Sequence, residues 1–154
     1  MKRKQMLQAI GLFALLPIFA TVHAESGGTP AEAEALVKKV VASIKANGPE
    51  KTFEEVTNGK SYKDRDLYVF VYDLNGKCLA HGANAKLVGK ELMGMKDPDG
   101  KPLIKMLVDV AKDKGKGWTD TVKFRNPATD KLQTRVNYIE RVGDFAVGSG
   151  VFKD

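Results

Sequence analysis

Leu67-Tyr68-Val69-Phe70-Val71-Tyr72, then Asp73-Leu74-Asn75-Gly76, then Lys77-Cys78-Leu79-Ala80-His81, is the stretch from which the fold is read. The first run is β-branched, aromatic and aliphatic throughout, the pattern of a strand buried on both faces. Asn75-Gly76 accepts the positive φ of a tight hairpin, so Lys77 to His81 is the return strand. Three more strands are predicted downstream, over 117–125, 132–140 and 145–152. Asn126-Pro127-Ala128-Thr129-Asp130 and Arg141-Val142-Gly143-Asp144 supply their turns. Upstream the period changes. Leu36, Val37, Val40, Val41 and Ile44 recur at helical spacing, behind a Thr29 cap, Pro30 in the first turn and acidic Glu32 and Glu34. Asn47-Gly48-Pro49 ends that helix and opens a shorter one, Glu50 to Thr57. Between the hairpin and the later strands, residues 82–101 hold four glycines and Pro98 with little periodicity, and are expected to wrap over the sheet. Asp99 is expected to cap a helix from Lys101 to Lys114. The order predicts an α+β domain: a five-stranded antiparallel sheet with a long N-terminal helix behind it.

The chain has 154 residues, enough for one ordinary domain. At 43% hydrophobic and 29% charged it is neither a disordered chain nor a membrane bundle. Its formal charge of +6 is concentrated at the start, in Lys2, Arg3 and Lys4. Behind them Ala9 to Ala20 is apolar for 12 residues, short of the roughly 20 needed to span a bilayer. Val22-His23-Ala24 then places small residues where a signal peptidase reads them. Residues 1–24 are therefore predicted to be a signal peptide cut after Ala24, the alternative being an uncleaved anchor. Residues 25–29 are a flexible leader, and 30–154 an exported, periplasmic domain. Without the signal the chain has 22 basic and 19 acidic residues, and no dense basic stripe with interleaved aromatics. A nucleic-acid role is excluded on that ground.

Cys78 is the single cysteine, so no intrachain disulfide forms, and its apolar flanks mark a small buried hydrophobe rather than a nucleophile. His81 is the one histidine left after export. There is no Gly-x-Ser-x-Gly, Ser-x-x-Lys or His-Glu-x-x-His motif and no zinc-ligand spacing, so neither an enzyme nor a metal or cofactor site is predicted. Asp97 and Asp99 beside Gly100 lack the acidic ladder of a calcium loop, and read as a turn and a helix cap.

Several segments, in order, resemble a known family. They are Tyr68 to Asp73, Asn75 to His81, Leu87 to Leu92, Asp97 to Lys101, Gly115 to Trp118, Asn126-Pro127, Tyr138, and Gly148 to Phe152. Over roughly residues 30–153 this set is similar to the single Cache domain, type 2 (sCache_2). The resemblance implies a fold like extracytoplasmic PAS, with a ligand pocket on the sheet closed by the connecting loop and helix. Members commonly form the sensing part of chemoreceptors and histidine kinases, and the better understood ones bind acetate, propionate or pyruvate. Two positions depart from the pattern. Gly82 follows His81 where relatives usually carry Pro, which predicts a looser loop entry. Thr134-Arg135 stands where Pro-Lys is common, keeping the cation.

The predicted site follows from both readings. Arg135 offers a permanent charge and a planar fork for a carboxylate, with a solvated edge charge as the alternative. His81, at the mouth of the wrapping loop, can donate to an anion or simply fix the loop. Phe70 and Tyr72 share a strand face and either line the cavity or fill it. Trp118 suits a pocket wall or plain core. Met93 and Met95 lie in the covering loop, able to close over an aliphatic tail. Tyr138 completes the set, but it is three residues from Arg135. The two face opposite sides of the sheet unless a bulge intervenes, so one lies outside the pocket or the strand is bulged. The expected function is capture of a small carboxylate and relay to a separate membrane histidine kinase or chemoreceptor. The alternative is a scaffold of the same fold whose pocket is filled.

Overall fold

A computed structural model describes residues 27–153. The predicted signal peptide lies outside the described residues. Helix α1 spans Pro30–Asn47 and opens on a capping box. The Glu32 carboxylate accepts from the Thr29 backbone N–H at 2.8 Å, and Thr29 Oγ1 accepts from the Glu32 N–H. Its start is held to the sheet edge: Asp66 accepts from the Gly28 N–H at 2.7 Å, and Arg65 donates to the Gly27 carbonyl and to Glu32. The last residues of the predicted leader are thus part of the folded unit. Gly48, at φ +85°, breaks the helix, and Pro49 begins α2, Pro49–Asn58.

The strands are β1 (Lys63–Asp64), β2 (Leu67–Asp73), β3 (Cys78–His81), β4 (Lys116–Trp118), β5 (Val122–Arg125), β6 (Leu132–Val142) and β7 (Phe145–Lys153). They form one antiparallel sheet in which β2, β7 and β6 are central. One edge rank is shared by β1 and β3, the other by β4 and β5. The sheet therefore has the five expected ranks, each edge being split in two. The predicted strand over 117–125 breaks because residues 119–121 stand opposite only Val136 and Asn137 of β6, one residue too many for a regular ladder. There Thr119 bonds Asn137 twice, donating its N–H to the carbonyl and accepting the Asn137 N–H on Oγ1.

Strand alternation divides the core. Val69, Val71, Tyr138 and Val147 face α1 and pack on Val37, Val40, Val41 and Ile44. Tyr68, Phe70, Tyr72, Ile139 and Phe152 face the other way, toward α3, Leu103–Asp109. That helix starts two residues later than predicted, after Pro102, and continues as a π-turn over Val110–Lys114.

The wrapping segment 82–101 is well anchored. Gly89 donates to the Cys78 carbonyl, Leu92 to Gly76 and Gly82 to Val69, all between 2.8 and 2.9 Å. The last bond corrects the expected looseness, since a proline there has no N–H to give and Gly82 does. Asp97 carries the far end. One carboxylate oxygen accepts from the Asp99 and Lys101 N–H groups and the other from the Lys123 N–H on β5. These bonds, that to Lys123 first, hold its carboxyl below the usual carboxylate range. Asp99 is not the helix cap that was expected. It pairs with the Lys123 ammonium at 3.0 Å. Asp97→Ala is expected to leave the sheet intact but free this segment, so that limited proteolysis cuts within 82–101 first and about tenfold faster than in the wild type. Unchanged cleavage would show that the main-chain bonds suffice.

Candidate functional site

Between the sheet and α3 lies a cavity of about 220 Å³. Phe70 and Tyr72 of β2 and Arg135 and Asn137 of β6 form its floor. Leu103, Ile104 and Leu107 of α3 form one wall, Val122 and Phe124 of β5 another, and His81, Asn84, Leu87 and Met95 close it from the loop. Met93 packs against the same core without lining the cavity.

Arg135 is 4% exposed. Its Nη1 donates to the Tyr68 hydroxyl at 2.6 Å. The guanidinium carbon lies 4.7 Å from the Tyr68 ring centre and 4.9 Å from that of Phe152, with Phe124 and Phe70 at 5.3 and 5.5 Å. Ring faces attract the cation but offer no lone pairs for its N–H groups. Nε and Nη2 are buried and have no hydrogen-bond partner among the described residues. A buried cation short of acceptors is costly, because it has given up water without replacement.

His81 is also buried and turns its two nitrogens to different tasks. Nδ1 accepts from the Asn84 and Ala83 backbone N–H groups, at 3.0 and 3.3 Å. An accepting Nδ1 places the proton of the neutral ring on Nε2, for which no partner is found among the described residues. Burial first, then the nearby Arg135 and Lys63 charges, push its pKa down to about 4. Tyr72 stays a phenol, its pKa raised by burial above all, and the adjacent Cys78 thiol is pushed up to about 11 for the same reason. Cys78 is buried and unpaired.

Four of the six predicted residues, Phe70, Tyr72, His81 and Arg135, come together at this cavity. The other two do not. Pairing of β6 with β7 is unbroken from Thr134 to Val142, so β6 has no bulge, and Tyr138 faces α1. Trp118 lies beside it, ring centres 5.4 Å apart, also on the α1 side. The bulge that could have joined Arg135 to Tyr138 sits instead in the edge strand, between β4 and β5. Two further polar residues complete the picture. Asn137 lies two residues after Arg135 on the same face, and Tyr68 two before Phe70, so the period of two already carried both.

This combination, a sheet pocket closed by a loop and helix behind a long N-terminal helix, agrees with the family comparison. The model of Single Cache domain 2 matches residues 8–152. The chain belongs to that family. As a Cache domain it is 29% identical over 93 residues to the methyl-accepting chemotaxis protein McpP of Pseudomonas putida, covering 59% of this chain and 17% of that protein. It is 28% identical over 92 residues to the sensor histidine kinase MctS of Rhizobium johnstonii, covering 58% and 20%. The matched part is thus no more than a fifth of either curated relative. A methyl-accepting chemotaxis protein from Vibrio parahaemolyticus superposes with a TM-score of 0.68 at 25% identity, over 80% of this chain and 88% of that one. A Cache chemosensory domain solved for its recognition of carboxylic acid superposes at 0.62 and 23% identity, over 80% and 88%, a likeness of fold. Among the described residues, no helix of this Cache domain is long and apolar enough to cross a membrane.

The His81 pKa sets an acid limit. The unfolded chain takes up the proton below about pH 6.5, whereas the folded domain resists until about pH 4. Stability is therefore complete above pH 6.5 and falls as pH drops toward 4, by roughly 3 kcal/mol over that window. Urea denaturation at pH 7 and pH 4.5 should show this loss in the wild-type Cache domain and a smaller one in His81→Gln. Equal losses would place the acid sensitivity elsewhere.

Proposed function

We propose that the cavity captures a small organic acid, a short-chain monocarboxylate, and that the domain acts as an exported sensor. The observation that carries this is the buried Arg135 fork, with Nε and Nη2 lacking acceptors among the described residues at a mostly apolar cavity. A carboxylate is planar, singly charged and able to accept both N–H bonds side by side, which suits that edge better than chloride or phosphate. His81 Nε2–H and the Asn137 amide are further donors at the same cavity. The lining holds one cation and no acid, so a second carboxylate lacks a counter-charge and an ammonium lacks a partner. The Leu103, Ile104 and Leu107 wall and the volume of about 220 Å³ suit a short aliphatic tail. Recognition of carboxylic acid by a Cache domain of similar fold supports the same reading.

The domain would serve in the periplasm after removal of residues 1–24, passing its signal to a membrane chemoreceptor or histidine kinase. The matched segments of McpP and MctS belong to proteins of those two kinds. Against a scaffold with a filled pocket stands the unpaired guanidinium, an expense that assembly alone does not require.

Thermal denaturation against acids of two to six carbons, with amino acids and amines as controls, tests this. A binder at about 100 times its dissociation constant adds roughly 2.7 kcal/mol, several degrees in Tm. The shift should appear with monocarboxylates only and vanish in Arg135→Leu. That variant, relieved of a buried cation, should itself gain roughly 1–3 kcal/mol when empty. A silent panel with a folded, ligand-free protein would favour the scaffold.

A further inference from the structure

Two glycines of β7, Gly148 and Gly150, face the cavity side of the central sheet, where strands ordinarily carry packing side chains. Neither has a left-handed φ, so the backbone does not demand glycine at either place. The demand is spatial, and different atoms make it. A Cβ on Gly148 would run into the Phe70 ring and the end of Ile139. A Cβ on Gly150 would run into Nε and Cζ of Arg135 and Oδ1 of Asn137, the two polar side chains of the cavity floor. Gly150 is the ladder partner of Asn137, and Arg135 pairs with Phe152 one step along the same face. The Arg135 side chain leans along the sheet from its own rung onto the next, and the bare Cα of Gly150 is the space it occupies.

We propose that Gly150 is the positioning residue of the site, the seat in which the Arg135 guanidinium rests with Nε and Nη2 uncommitted to any described residue. The inference rests on the reading of the cavity as an anion site. Held down on Gly150, the guanidinium stays within 5 Å of both the Tyr68 and Phe152 ring centres (4.7 and 4.9 Å), with Nη1 committed to the Tyr68 hydroxyl. That commitment leaves Nε and Nη2 as the donors an occupant would engage. A methyl group at 150 displaces the guanidinium from this place. Because the clash is with the outer atoms of a long, flexible side chain, the arginine can swing aside, so the domain still folds while its fork is misaimed. The position therefore sets affinity without touching the bound acid.

Four proteins decide the matter: wild type, Gly150→Ala, Arg135→Ala and the double variant, each as the full chain. Tm without ligand and sodium propionate titration by calorimetry are the two readouts. Gly150→Ala is expected to keep the wild-type circular dichroism and lose about tenfold or more in propionate affinity. Its Tm cost should be clearly smaller in the Arg135→Ala background, where the clash with the guanidinium is gone. Equal Tm costs in the two backgrounds, or undiminished propionate affinity in Gly150→Ala, would overturn the proposal. If Gly150→Ala fails to fold but the double variant folds, the seat is shown; if both fail, it is refuted. Should the wild type ignore propionate, the ligand reading falls for that acid, and the Tm coupling alone decides for or against Gly150.

Discussion

A guanidinium taken out of water and left with open donors is the constraint around which this domain is arranged. Arg135 has one hydrogen bond, to Tyr68, and four aromatic rings within 5.5 Å. Rings of that kind stabilise a desolvated cation electrostatically, but the penalty for an incompletely solvated ion is several kcal/mol. The walls lower the local dielectric: Leu103, Ile104 and Leu107 make one side apolar, and Val122 and Phe124 another. The low dielectric that makes the empty site expensive also strengthens its attraction for any anion that enters.

His81 joins this site to the segment that covers it. One ring nitrogen receives the Ala83 and Asn84 N–H groups, and the other carries its proton without a partner among the described residues. The ring is thus neutral and directional at ordinary pH, a donor of fixed aim. The covering segment is secured at both ends, by main-chain bonds to the hairpin and by the Asp97 carboxylate to β5. An occupant engaging His81 and Arg135 would tie the entry of the covering segment, at the end of β3, to β6 on the far side of β7. A ligand shifts such an equilibrium only by its differential contacts with the two states, and these are the contacts available.

Much of this was legible in the sequence, for reasons that also explain what was not. The strand Leu67–Tyr72 and the stripe of α1 are local patterns, and local patterns survive folding. The period of two placed Arg135 with Asn137 and Ile139 and set Tyr138 apart from them. Only the pairing of β6 with both neighbours, a long-range fact, could say which strand held the bulge. Trp118 went astray for the same reason, since its side depends on the register against Tyr138. The two-residue β1 is too short to leave a periodic trace. Asp97 looked like a turn residue and is one, but its bond to Lys123 spans 26 positions and has no signature along the chain. Gly82 seemed a relaxed substitute for proline until its N–H found Val69.

Gly148 and Gly150 also have a meaning for anyone trying to toughen this domain. They stand in the middle of a central strand, where glycine lowers strand stability and a β-branched residue ordinarily raises it. Propensity-guided stabilisation would choose these positions early, and the clashes with Phe70, Ile139 and Arg135 would make each replacement cost stability instead of adding it. A search scored on heat resistance alone would instead favour leucine or methionine in place of Arg135. That change would yield a hardier protein without the one cation of its cavity, with nothing in its melting curve to report the loss.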